Sequence, residues 1–284
     1  ARAAGANWPR HRQCFSCHNQ TLPLLAMKEA GDDPKWMEQQ GGIAHAHFAA
    51  LKDALLAGKH IGGGAATASH GLWALSLAGK GKDAASEAIV AYLLKTQRKD
   101  GLWHPSCFRP PSQGSYVSVT VLSAWLMAEH AGEGQAATVE AARKKAVAAL
   151  EKAALPATED AAFRLWGLRL LGGQKEKIDA ARKALLALQR DDGGWAQEKG
   201  RRSDAYATGQ ALWVLRVVGG GEEAARRAAW FLVRTQHADG SWHVKTRAVP
   251  VQRDFDNGDP HGKDQFLSVA ATSWATAALA RMKR

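Results

Sequence analysis

A chain of 284 residues, 46% hydrophobic and 23% charged, has an ordinary globular composition and enough length for a sizeable core. No apolar run approaches the length of a membrane-spanning helix, and three cysteines are too few for a disulfide scaffold. The net charge of +11 is scattered along segments such as Ala142-Arg143-Lys144-Lys145 with no dense aromatic-laced run, which argues against nucleic acid and suits an acidic redox partner or an anionic membrane surface.

The first motif in chain order is Cys14-Phe15-Ser16-Cys17-His18. Two thiols at this spacing reach the two vinyl groups of one porphyrin, and the adjacent histidine falls beneath the iron as proximal ligand. The motif predicts one covalently attached heme c, with thioether bonds from Cys14 and Cys17 and the axial bond from His18. A thioredoxin-like dithiol lacks its βαβ context here, and a zinc site lacks a second Cys-x-x-Cys. Heme of this type is attached outside the bacterial cytoplasm, so the expected location is periplasmic or otherwise exported. The chain opens at Ala1 without an apolar leader, and the expectation is a mature form whose signal segment is not in this sequence.

Gln20 to Ala30 is expected to form a first inner helix, with Pro23 in its first turn. Trp36 to Ala57 would be its outer partner, interrupted at Gly41-Gly42. Helices rich in Ala, Leu and Trp follow at Ala66 to Leu77, Val117 to Ala128, Ala161 to Leu171, Ala205 to Val218 and Ser268 to Met282. Each carries a tryptophan: Trp73, Trp125, Trp166, Trp213 and Trp274. Apolar nearly all round, they suit an inner layer buried on both sides. Lys82 to Thr96, Lys175 to Leu188 and Glu222 to Thr235 are amphipathic and suit an outer layer.

Three outer helices lead into the same turn, Gln-x-x-Asp-Gly-x-Trp: Gln97 to Trp103, Gln189 to Trp195 and Gln236 to Trp242. Asp-Gly supplies the left-handed cap, and Trp103, Trp195 and Trp242 are expected to brace neighbouring repeats. Their starts lie 92 and 47 residues apart. A decayed copy therefore falls near 143 to 150, where Leu150-Glu-Lys-Ala-Ala-Leu-Pro156 ends a helix. Six inner and five outer helices result, a ring close to closing on itself. The chain reads as one domain over 1–284, with a heme-attachment segment at 1–30 and repeats over 31–284.

The Gln-x-x-Asp-Gly-x-Trp turns resemble the QW repeats of the squalene–hopene cyclase and protein prenyltransferase superfamily, over roughly residues 60 to 284. That resemblance implies an all-α fold, the α/α toroid. Ser203-Asp-Ala-Tyr-Ala-Thr-Gly-Gln-Ala-Leu212, the stretch Pro250 to Gln265, and Cys-x-x-Cys-His before Leu-Pro are similar to bacterial squalene-cyclase-like proteins that join heme attachment to such repeats. The chemistry does not carry over with the fold. The Asp-x-Asp-Asp-Thr acid motif of hopene-type cyclases is absent, and Asp32-Asp33 and Asp191-Asp192 sit in predicted turns. Cys107 lacks the neighbouring Asp of the prenyltransferase zinc site and is expected to be a free buried thiol.

The second axial position of the iron is open among Met27, His45, His47, His60, His70, His104, His243 and His261. Since His18 precedes the first inner helix, the heme is expected at the end of the ring where inner helices begin. His261, in the longest loop at that end, is the first candidate for distal ligand, and His70 the alternative. Asp204 is expected to cap a helix. Asp254-Phe-Asp256-Asn-Gly-Asp259 misses the EF-hand pattern and is expected to be a turn. The expected function is electron transfer by a monoheme cytochrome. The alternative is a heme enzyme or ligand sensor whose open iron faces the barrel cavity and a small or hydrophobic ligand.

Overall fold

Continuous burial in some helices and one-sided burial in others sorts the chain into two concentric layers. The structure, a computed structural model, describes residues 1–12, 14–31, 33–107, 109–248 and 255–283. Helix α1 (Arg2–His11) comes first. The inner layer is then α2 (Leu22–Ala30), α5 (Gly64–Leu77), α7 (Tyr116–His130), α9 (Thr158–Leu170), α11 (Ala205–Val218) and α13 (Gln265–Arg281). Each packs on the next, and α13 returns onto α2 to close the ring. In α5 every residue from Gly64 to Leu75 is buried, as the sequence of a two-sided helix requires.

The outer layer is α3 (Pro34–Ala50) with the short α4 (Lys52–Leu56), then α6 (Ala84–Thr96), α8 (Ala136–Leu150), α10 (Lys175–Leu186) and α12 (Glu222–Thr235). Their burial follows helical spacing: Ala225, Ala228, Phe231 and Leu232 in α12 face inward, Ala224 and Ala229 flank them, and the rest faces water. Among the described residues extended backbone pairs only as isolated bridges. No helix is long and apolar enough to cross a membrane.

The repeated turns are built on one hydrogen-bond scheme. The Trp103, Trp195 and Trp242 indole N–H groups donate to the carbonyls of Leu93, Leu185 and Leu232, at 2.7, 2.9 and 2.9 Å. Their backbone N–H groups donate to the hydroxyls of Thr120, Thr208 and Thr272, in the following inner helix. Each tryptophan thus ties the outer helix it follows to the next inner one. Gln97 donates to Gly101 O and to Ala142 O in α8, and Gln189 to Gly193 O and to Ala224 O in α12. Gly101 (φ +88°) and Gly193 (φ +86°) are required twice over: a Cβ would lie 2.7 Å from Lys145 O or Arg227 O of that same next outer helix. Among the described residues Gln236 donates to Gly240 O alone, and no outer helix follows it there.

Inside the ring, the five tryptophans of α5, α7, α9, α11 and α13 meet. Trp73 lies 5.8 to 6.3 Å from Trp166, Trp274 and Trp125, and Trp166 lies 4.9 Å from Trp213. All five stand eight or nine residues beyond the helix start, so they fill one level toward the C-terminal ends of the inner helices. Below them, buried Glu29 accepts from Trp213 Nε1 at 3.1 Å and pairs with Arg281 at 2.7 Å. A cavity lies at the opposite end, walled in part by residues that precede or begin the inner helices.

Two expectations change. The α3 helix runs unbroken through Gly41-Gly42 to Ala50. Gly41 is there for close approach, since a Cβ would stand 2.3 Å from Ala78 Cβ. The first inner helix begins not as an α-helix at Gln20 but with a π turn over Cys17–Thr21 that feeds α2.

Candidate functional site

Local geometry assembles the N-terminal motif. After α1, Ser16 caps the π turn by accepting from the Asn19 amide, and its own N–H donates to Gln20 Oε1 at 2.8 Å. Trp8 Nε1 donates to the Cys14 carbonyl at 2.6 Å, pinning α1 to the motif. Isolated π turns recur at functional sites. Here the turn sets Cys17 and His18 in the wall of a cavity of about 310 Å³, with Cys14 at its rim. The cavity lies at the inner-helix N-terminal end. Thr67 in the first turn of α5, Cys107, Arg109 and Ser112 ahead of α7, and Lys263 and Phe266 at the entry to α13 form other parts of its wall.

The chemistry of the wall is one-sided. The described lining residues include no Asp or Glu, while Arg109 and Lys263 have no ion-pair partner among the described residues. Trp8 and Phe266 pack on the His18 ring at 6.1 and 5.5 Å between centroids. Burial pushes the Cys17 thiol up to about 12, against smaller opposing pulls from Thr67 and Arg109. Burial likewise brings the His18 imidazole down to about 3, and the charges of Arg109 and His70 push it the same way. The site therefore holds an uncharged imidazole, which is the ligating form.

These residues fit heme attachment. All three cysteines are free, and His18 Nε2 is buried without a hydrogen-bond partner among the described residues. A buried orphan nitrogen is costly unless something occupies its lone pair. No group of three or more His, Cys, Asp and Glu among the described residues is arranged to hold a bare metal ion.

The distal candidates lie elsewhere. His261 is outside the cavity wall: its Nε2 meets Ser241 Oγ at 2.8 Å, and its ring stacks on His243 at 5.0 Å. His243 in turn pairs with Asp264 at 2.7 Å. His70 is buried in α5 with Nδ1 on Ala66 O at 2.9 Å and does not line the cavity. His104 stacks on Tyr116 at 4.1 Å, His45 pairs with Asp83, and Met27 is in the core.

Cys107 is not the buried thiol expected. It is exposed at the cavity and contacts Gln113 Oε1, because the loop ahead of α7 crosses the mouth. Arg109, Ser112 and Lys263 were not singled out from sequence. The Pro110-Pro111 pair beside them signals a loop but not its position over the Cys-x-x-Cys-His segment. Asp204 caps α11, accepting from the Ala207 amide at 3.0 Å. In the acidic loop, Asp256 Oδ1 accepts from the Gly258 amide and Asn257 Oδ1 from the Asp259 amide, which is the expected turn; Asp254 lies outside the described residues.

A second polar cluster occupies the same end of the ring. Ser118 and Tyr206 donate to the two oxygens of Glu159, both at 2.8 Å, and Ser115 donates to Asp160 at 2.6 Å. Gln197 donates to Asp204 at 2.8 Å, and Arg247 donates to Gln197 Oε1 at 2.7 Å. Burial raises Asp160 to about 6. Each of these three carboxylates has donors, and the packing leaves no room for a ligand.

No family model matches the chain, and no curated protein does. Solved structures do. A protein from Actinoplanes is similar over 94% of this chain and 90% of its own, with a TM-score of 0.61 and 20% identity. The ent-copalyl diphosphate synthase from Streptomyces platensis is similar over 93% of this chain and 50% of its own, with a TM-score of 0.55 and 18% identity. The type II terpene cyclase MstE from Scytonema is similar over 93% and 88%, with a TM-score of 0.53 and 16% identity. At such identities the likeness is one of architecture, and it places this chain among the terpene cyclase-like α/α toroids in fold.

Proposed function

We propose that this protein is an exported monoheme c-type cytochrome built on an α/α toroid, with electron transfer to an acidic partner as its work. The observation that carries the reading is that Cys14, Cys17 and His18 share one cavity wall in which His18 Nε2 is buried and unpartnered. Cys14 and Cys17 would form the thioether bonds, and His18 would supply the axial nitrogen. Heme, when bound, supplies a one-electron iron centre whose potential follows its ligands and burial. The chain's own part is to keep the imidazole neutral and oriented between Trp8 and Phe266, and to keep water from Nε2. The basic surface, with 38 Lys and Arg against 27 acids, supports steering of an acidic partner.

The alternative, a heme enzyme or ligand sensor with one open iron face, is favoured by a specific observation. Among the described residues of the cavity wall His18 is the only imidazole, and none is methionine. Expression with a cytochrome c assembly system, followed by intact mass and the reduced pyridine spectrum, tests the heme. Unmodified protein from that system would refute it. A carbon monoxide difference spectrum then separates the two readings: no change supports electron transfer at a closed iron, and a shifted Soret band supports the open site.

A further inference from the structure

The cavity holds more positive charge than the proximal motif uses. Arg109 is half-buried and Lys263 exposed, both line the wall, and neither has an ion-pair partner among the described residues. No acid stands among the described lining residues to balance them. Arg109 is near enough to act electrostatically on both Cys17 and His18, so it bears on the occupied part of the cavity and not on bulk water.

The same cavity wall carries an independent sign of a missing partner. Ser112 is 5% exposed, yet its hydroxyl has no hydrogen-bond partner among the described residues. Its backbone is left-handed, at φ +71°, a conformation that costs a non-glycine residue of order 1 kcal/mol. Reciprocal hydrogen bonds hold it there: Arg109 N to Gln113 O at 2.7 Å, and Gln113 N to Arg109 O at 3.2 Å. Arg109 and Ser112 of this turn both line the cavity. Trp8, Phe15, Pro111 and Phe266 give the wall an apolar part, beside the polar Ser16, Thr67, Gln113 and Thr246.

We infer that Arg109, Ser112 and Lys263 form a carboxylate-binding subsite, which holds the acid end of an amphipathic ligand whose apolar body rests on Trp8, Phe15 and Phe266. A planar guanidinium and a hydroxyl donor match a carboxylate's two oxygens. The carboxylates have two sources: the propionates of an attached porphyrin, or a separate fatty-acid-like ligand. The subsite deepens the heme reading in the first case and stands without it in the second.

Two arms test this on the full-length chain. In the first, heme-free protein is titrated with dodecanoate and with dodecanol by calorimetry. Dodecanoate is expected to bind in preference to the alcohol, with affinity falling about tenfold or more in Arg109→Leu and in Lys263→Met. Circular dichroism confirms that each variant is folded. In the second, heme-loaded protein is followed by potentiometry across pH. Arg109→Leu is expected to lower the midpoint potential and move its pH-dependent step upward, with Arg109→Lys restoring most of both.

A result in the first arm alone assigns the subsite to a free carboxylate, and a result in the second assigns it to the propionates. Equal binding of acid and alcohol, or of neither, together with an unchanged pH profile in loaded Arg109→Leu, overturns the subsite. Absence of heme by mass overturns the cytochrome reading and leaves the dodecanoate arm to decide the subsite.

Discussion

The two ends of the ring are made by the same six helices and have opposite characters. Toward the C-terminal ends, five indoles from five helices fill the axis, with Glu29 closed by Trp213 and Arg281. Toward the N-terminal ends, the axis gives way to hydrogen-bonded carboxylates on one side and, on the other, a basic cavity with no Asp or Glu among its described lining residues. The first end is what packing alone produces: large rings, no orphan polar atoms on the indoles of Trp73, Trp166, Trp213 and Trp274, no space. The second retains unused groups, namely His18 Nε2 and the Ser112 hydroxyl. The aromatic packing lies at one end and the cavity at the other, as expected where a scaffold presents a site on its loops.

The largest effect that would break this division is at the filled end. Trp166→Ala removes the ring that touches Trp73, Trp125 and Trp213. It is expected to lower unfolding free energy by about 3–5 kcal/mol while heme content in protein that still folds stays unchanged. A loss of heme attachment in the folded fraction would mean that the ends are coupled.

Asp160 comes next. Its folded value is raised to about 6 from 3.8, so its contribution is fully present below pH 3.8 and is lost as pH rises through 6. Wild-type stability should carry a falling contribution across this window, on the order of 3 kcal/mol. In Asp160→Asn, urea unfolding at a series of pH values should show that slope flattened. The repeats supply an internal comparison of smaller size. Gln189→Ala loses donors to two carbonyls and should cost about 1–2 kcal/mol, and Gln236→Ala, with one acceptor, about half as much.

At the open end the sign reverses. Ser112→Ala deletes a buried hydroxyl without a partner and is expected to stabilise the heme-free chain by about 1 kcal/mol. Thermal denaturation showing a clear loss instead would place Ser112 in the packing of the loop and weaken the contrast between the ends.

The ring itself was legible in the sequence because its signals are local and repeated. Gln, Gly and Trp at fixed spacing each satisfy one bond or one close approach, and the apolar and amphipathic helices alternate by period. The decayed repeat also shows, since α8 ends at Leu150 where the missing turn was placed. Helix α1 was not legible: Ala4, Gly5 and Trp8 are its buried residues, and Pro9 lies inside it. Such a segment gains order from docking against Phe255, Phe266 and the π turn, not from its own pattern.

The N-terminal motif announced Cys14, Cys17 and His18 through spacing alone. What surrounds them depends on chain segments far apart in sequence, and no local pattern places Arg109 or Lys263 beside Cys17. His261 was favoured because its loop is long and at the right end. It instead contacts Ser241 and His243, twenty and eighteen residues earlier, and is not among the described residues lining the cavity. The tryptophans of α5, α7, α9, α11 and α13 are likewise plain in the sequence, but not that equal depth in parallel helices makes the five converge.

The glutamine clamp has a consequence for synthesis. Gln97 finds its second acceptor at Ala142 and Gln189 at Ala224, both in helices made later. A ribosome delivering this chain therefore leaves each turn provisional until the succeeding hairpin emerges to lock it. Gln236 has no second acceptor among the described residues, but its turn too is tied forward, by the Trp242 N–H to Thr272 in α13.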